Sequence, residues 1–109
     1  MQEMVKVFNE NKKVHTKQMP IYARLLDVQS EIGELSKEYL KGSKYGTEKF
    51  IVTDDFKLEF GDVLYSILSL ANEVSIDAKE ALNNVLAKYQ KRIDDNSNMG
   101  SKNWLFYKN

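Results

Sequence analysis

Apolar residues recur every three or four positions along most of the chain, which is the spacing of one face of a helix. A first short helix is expected over about Met1 to Asn11, with Met4, Val5 and Phe8 on one side. The stretch from Asn11 to Met19 is polar and basic and reads as a loop. Pro20 suits the first position of a second helix, where its missing N–H is not needed. That helix is expected to reach about Lys41, with Ile21, Leu25, Val28, Ile32, Leu35 and Tyr39 as its stripe, and Gly42 is the natural stop. Residues Ser43 to Val52 read as a loop. Thr53 or Asp54 can cap a third helix, whose broad apolar side carries Phe56, Phe60, Val63, Ile67, Leu70, Ala71 and Val74. Asp77 and Glu80 form a plausible capping box for a fourth helix. Its stripe is Ala78, Ala81, Leu82, Val85, Leu86, Tyr89 and Ile93; Asp94 to Ser101 then reads as loop.

The pattern predicts an all-α fold, an antiparallel bundle of about four helices in a single domain over residues 1–109. Its core is expected over about 20–93, with an aromatic tail over 102–109 that contains Trp104, Leu105, Phe106 and Tyr107. The second and third helices are apolar on more than one side; Tyr22, Leu26 and Leu40 lie off the main stripe of the second. A small bundle leaves such surface wet, so a second copy of the chain is expected to complete it.

Composition narrows the function. The 16 basic residues equal the 16 acidic ones, which gives no electrostatic footprint for nucleic acid or an anionic membrane. The absence of cysteine removes disulfides and thiolate metal sites. No apolar run approaches the ~20 residues that span a bilayer. Met1 to Met4 lack the basic and apolar segments of a signal peptide, so the cytoplasm is the expected location.

Chemistry is concentrated in two acidic pairs. Glu31 and Glu34 are three apart on the second helix, and Glu59 and Asp62 three apart on the third. Residues at this spacing share a helix face. Asp27, Glu31, Glu34 and Glu38 form one acidic edge; Asp55, Glu59, Asp62 and Glu73 form another. Neither edge contains lysine or arginine, so like charges are expected to go uncompensated within each helix. Hard divalent cations such as Mg²⁺ favour oxygen ligands and would relieve that repulsion. Gly33 and Gly61 lie inside the pairs. Glycine within a helix costs about 0.5–1 kcal/mol relative to alanine, an expense that suits a close approach of two backbones. Solvated acidic faces remain the plain alternative.

At these residues the chain resembles a known family. Glu31-Ile32-Gly33-Glu34-Leu35, followed by Glu59-Phe60-Gly61-Asp62-Val63-Leu64-Tyr65, is similar to the paired E-x-x-E and E-x-x-D motifs of MazG-like nucleoside triphosphate pyrophosphohydrolases. The likeness continues through Ile76-Asp77-Ala78-Lys79-Glu80-Ala81-Leu82 to Lys88 and Arg92, and covers roughly Pro20 to Ile93. It implies an all-α fold and Mg²⁺ dependence, with Mn²⁺ a candidate substitute. It also implies cleavage of a (deoxy)nucleoside triphosphate to monophosphate and pyrophosphate, in the manner of nucleotide-pool house-cleaning enzymes. Dimers, sometimes paired into tetramers, are implied as well, with the site shared between subunits. Ser30 departs from the pattern, because many members carry a further Glu there; the number of bound metal ions is therefore open.

Glu31, Glu34, Glu59 and Asp62 are the candidate metal ligands. Glu34 is the candidate general base, with Glu31 the second catalytic candidate. Lys88 and Arg92, four apart on the fourth helix, are candidates for the β and γ phosphates, against a plain solvated basic edge. Asn84 lies on the same edge. Tyr65 is a candidate for stacking on a base, and a core tyrosine is the competing reading. His15, with Lys12, Lys13 and Lys17, lies in the basic loop and is a candidate to close over a triphosphate. The Trp104 tail suits subunit docking. Three alternatives stand beside this reading. A di-iron bundle would use Glu-x-x-His pairs, and the sole histidine falls outside both motifs. A phosphoribosyl-ATP pyrophosphohydrolase would share the chemistry but not the substrate. A non-enzymatic helical oligomer or interaction module would need no metal.

Overall fold

The computed structural model describes residues 1–11 and 20–96. The described residues form four helices: α1 (Gln2–Asn11), α2 (Ile21–Gly42), α3 (Asp54–Glu73) and α4 (Ala78–Asn96). The all-α expectation holds. The His15 loop and the Trp104 tail lie outside the described residues. The chain divides into two compact units, Met1–Ile76 and Asp77–Asn109.

The first unit is built on α3. Helix α2 runs antiparallel to it, so Arg24 near the start of α2 meets Glu73 at the end of α3. Helix α1 is also antiparallel to α3. Its first residue, Gln2, donates to the Ile76 carbonyl, and Asn9 near its end meets Tyr65 and Ser69. Pro20 is the N-cap of α2 rather than its first residue, a shift of one position. Thr53 caps α3 by accepting from the Phe56 N–H at 3.0 Å.

Helix α2 ends at Gly42, within one residue of the expected bound, and the chain then turns through Lys44, Tyr45 and Gly46 at φ 46°, 58° and 84°. The buried Ser43 hydroxyl steadies this turn by accepting from the Gly46 N–H and donating to the Leu40 carbonyl. Gly42 is needed for space. A Cβ there would lie 2.7 Å from both the Ile51 carbonyl oxygen and the Phe50 ring. Phe50 is itself wedged between Tyr39 and Phe56, at ring-centroid distances of 4.7 and 5.0 Å, and this aromatic run closes the α2–α3 hairpin.

Only part of the expected apolar stripe of α2, Val28 and Leu35, lies on the half-buried side. Ile21, Leu25, Ile32 and Tyr39 are exposed, while Ala23, Val28, Glu31, Leu35, Glu38 and Gly42 are half-buried and Arg24 is 4% exposed. The hairpin therefore packs along a seam that includes acids and one arginine. Among the described residues, the buried apolar side chains are only Leu68 and Ala71.

In the second unit, Asp77 opens α4 by accepting from the Glu80 N–H at 3.1 Å, as half of the expected capping box. The helix continues through Asp94 and Asp95 to Asn96, residues expected to be loop. Gln90 donates to the Asp94 carboxylate at 2.9 Å, an i,i+4 contact that supports this extra turn.

Candidate metal centre

Three of the four expected ligands converge. Carboxylate oxygens of Glu31, Glu59 and Asp62 all lie within 4.8 Å of one another. Helix periodicity explains the set. Glu31 lies on the α2 face turned to α3, and Glu59 and Asp62 occupy successive turns of the facing α3 edge. Glu31 and Glu59 are half-buried, while Asp62 is exposed, so the cluster sits in the seam with one side open to water.

The electrostatics are those of a site short of positive charge. Partial burial pushes the Glu59 carboxyl above its ordinary value of 4.5, and Asp62, Glu31, Glu34 and Glu38 push it in the same direction. Oxygen donors this close, on a carboxyl that resists ionising alone, fit a hard divalent cation in number and kind.

Glu34 stands apart from the three. Its side chain is half exposed and pairs with Lys37 at 3.5 Å, although its charge is still felt at Glu59. Glu38 likewise pairs with Lys41, at 3.1 Å, and that bond raises the Lys41 pKa. The expectation of uncompensated charge within each helix thus fails at these two acids, because lysines three residues on reach back to them. Exposed pairs of this kind are worth little, about 0–1 kcal/mol, and yield readily to a stronger partner.

The two motif glycines do not serve the α2–α3 approach. A Cβ at either Gly33 or Gly61 would meet nothing within 4 Å. Each lies two residues from a cluster acid, about 200° around its helix, and so faces away from the seam.

Tyr65 follows Asp62 by one turn. Its hydroxyl donates to the Asn9 side-chain oxygen at 2.5 Å, and Phe8 lies perpendicular to its ring at 6.3 Å. In the second unit, Lys88 and Asn84 are exposed and Arg92 is half-buried. Lys88 and Arg92 both lie over the Tyr89 ring, at 5.5 and 5.9 Å.

Sequence reasoning missed Arg24. It lies seven residues before Glu31, two turns along the same edge, and this spacing was the signal available. Arg24 pairs with Glu73 at 3.3 Å, with the two side chains 5% and 18% exposed. Its Nε is buried without a hydrogen-bond partner.

Comparison with known proteins agrees with this geometry. The family model for the MazG nucleotide pyrophosphohydrolase domain matches residues 23–96, which include all three clustered carboxylates. The chain is 31% identical over 96 residues to the uncharacterized protein YpjD of Bacillus subtilis (strain 168), an alignment that spans 85% of this chain and 82% of that protein. No solved structure matches significantly.

Proposed function

The chain belongs to the MazG nucleotide pyrophosphohydrolase domain family, and from that premise we propose that it is a Mg²⁺-dependent nucleoside triphosphate pyrophosphohydrolase. The products are a (deoxy)nucleoside monophosphate and pyrophosphate, and the role is removal of unwanted nucleotides from the pool. The observation that carries this reading is the meeting of Glu31, Glu59 and Asp62 oxygens within 4.8 Å. Carboxylates cannot hold a triphosphate directly, because both are anionic.

Glu31, Glu59 and Asp62 would hold the cation, and Glu34 could join them by leaving Lys37. When bound, Mg²⁺ supplies charge neutralisation at phosphate oxygens and a more acidic water. Mn²⁺ offers the same oxygen preference and is the candidate substitute. Glu34, one turn along α2 from Glu31, is assigned the role of general base for a water attacking the α-phosphate. Lys88 and Arg92, with Asn84 on the same edge of α4, are assigned to the β and γ phosphates, where a guanidinium can bind two oxygens at once. Tyr65 is assigned to the nucleoside. The active form is assigned as a homodimer or homotetramer in the cytoplasm. No helix among the described residues is long and apolar enough to cross a membrane.

A screen of nucleoside triphosphates, with phosphoribosyl-ATP among them, tests the reading. Mg²⁺-dependent release of pyrophosphate is expected and should be lost with a chelator. Release of orthophosphate alone, or no turnover of any substrate, would contradict it.

A further inference from the structure

We propose that Asn9, near the end of helix α1, is a positioning residue which fixes the Tyr65 ring on the Asp62 side of α3 to receive the nucleoside. This rests on the pyrophosphohydrolase reading and deepens it. Helix α1 lies outside residues 23–96, which the family model matches.

Helix α1 buries no residue, and its large apolar side chains Met4, Val7 and Phe8 are exposed. Besides the edge-on contact of Phe8 with the Tyr65 ring, polar bonds at its two ends tie α1 to α3 and the residues after it. At one end Gln2 donates to the Ile76 carbonyl, and Asn72 donates to the Gln2 carbonyl. At the other, Asn9 donates from its side-chain nitrogen to the Ser69 hydroxyl at 3.2 Å, and its oxygen accepts from Tyr65. Ser69 is 1% exposed, so the acceptor that orients the Asn9 amide is itself fixed in the packed interior. The amide faces with its nitrogen toward Ser69 and its oxygen toward the phenol.

The consequence falls on Tyr65. Asp62 and Tyr65 are three apart and share a side of α3. The tyrosine hydroxyl donates its proton to Asn9, so the half-buried side chain offers a ligand its ring surface and no free O–H donor. A ring beside a phosphate-handling cluster suits a base, since stacking of a base on an aromatic side chain is worth about 1–3 kcal/mol and needs no particular base identity. Asn9 therefore acts through Tyr65 on the nucleoside part of the substrate, and not on its phosphates.

The test separates those parts. KM and kcat are measured with Mg²⁺ for ATP, GTP, CTP and UTP, and inhibition by inorganic tripolyphosphate is measured alongside. Asn9→Ala and Tyr65→Phe, which each delete the bond and keep the ring, should raise nucleotide KM about three- to tenfold, the worth of one hydrogen bond. Their kcat and the tripolyphosphate inhibition constant should stay at wild-type values. Gln2→Ala loosens α1 at its far end and should leave KM unchanged. Unchanged KM in Asn9→Ala and Tyr65→Phe would overturn the proposal. So would equal weakening of nucleotide and tripolyphosphate, or a Gln2→Ala effect as large as that of Asn9→Ala, because each marks general loosening. If the wild type turns over no nucleotide, calorimetric binding of the same Mg²⁺ complexes decides. A nucleotide preference lost in Asn9→Ala would retain the positioning role and remove the hydrolytic reading. Absence of any nucleotide preference would overturn the positioning role as well.

Discussion

Glu59 is the residue on which the site turns. It is half-buried, it faces Glu31 across the seam, and Asp62 follows it by one turn. Loss of either α3 carboxylate should remove the cation and leave the fold. Glu59→Gln or Asp62→Asn is expected to cut Mg²⁺-dependent turnover at least ~100-fold, because a catalytic cation supplies several kcal/mol of transition-state stabilisation and each 1.36 kcal/mol is tenfold in rate. Circular dichroism should show unchanged helix content; wild-type turnover at saturating Mg²⁺ would contradict the assignment. The raised Glu59 pKa gives a second expectation. A carboxyl whose folded pKa exceeds its unfolded value binds its proton more tightly when folded. Its contribution to stability is thus complete below about pH 4.5 and is lost as pH rises through the folded pKa. Glu59→Gln lacks this loss. In a chelator, melting temperatures of wild type and Glu59→Gln should diverge as pH rises above 4.5, with the variant gaining relative to wild type, and Mg²⁺ should restore the wild type. A difference that stayed constant with pH would contradict it.

Among the helices, periodicity and capping chemistry made existence and approximate bounds legible. Pro20, Thr53 and Asp77 each mark a helix start within one residue, because a cap is a local matter of φ and one side-chain oxygen. Faces were less legible. A wheel groups Ile21, Leu25, Val28, Ile32, Leu35 and Tyr39, but it does not say which neighbour they meet, and only Val28 and Leu35 are half-buried while the other four remain exposed. Glu31 and Glu38 of the acidic edge share the half-buried side with Val28 and Leu35. The candidate site was legible for a related reason, since Glu31, Glu59 and Asp62 stand on the same periodic edges that form the seam. Gly42 shows the limit. Its position at the end of α2 was readable, but its reason, the Phe50 ring and Ile51 carbonyl crossing at 2.7 Å, is a contact made after the turn. Asn9 and Arg24 were not legible as partners of Tyr65 and Glu73, because contacts so distant in sequence leave no periodic trace.

For the whole molecule, the count of buried apolar side chains decides what to expect. Among the described residues, Leu68 and Ala71 are the buried apolar side chains, a thin core, while Tyr22, Leu26, Leu58 and Phe60 are each more than half exposed. A dimer or tetramer at micromolar concentration is expected from light scattering, and a compact, stable and active monomer would contradict it. The central claim concerns the bond that is proposed to break. Hydrolysis of a nucleoside triphosphate in ¹⁸O-labelled water with Mg²⁺ tests it most directly. Attack at the α-phosphate places the label in the nucleoside monophosphate and leaves pyrophosphate unlabelled. Label in pyrophosphate, or in free orthophosphate, would mean attack at another phosphorus and would contradict the account.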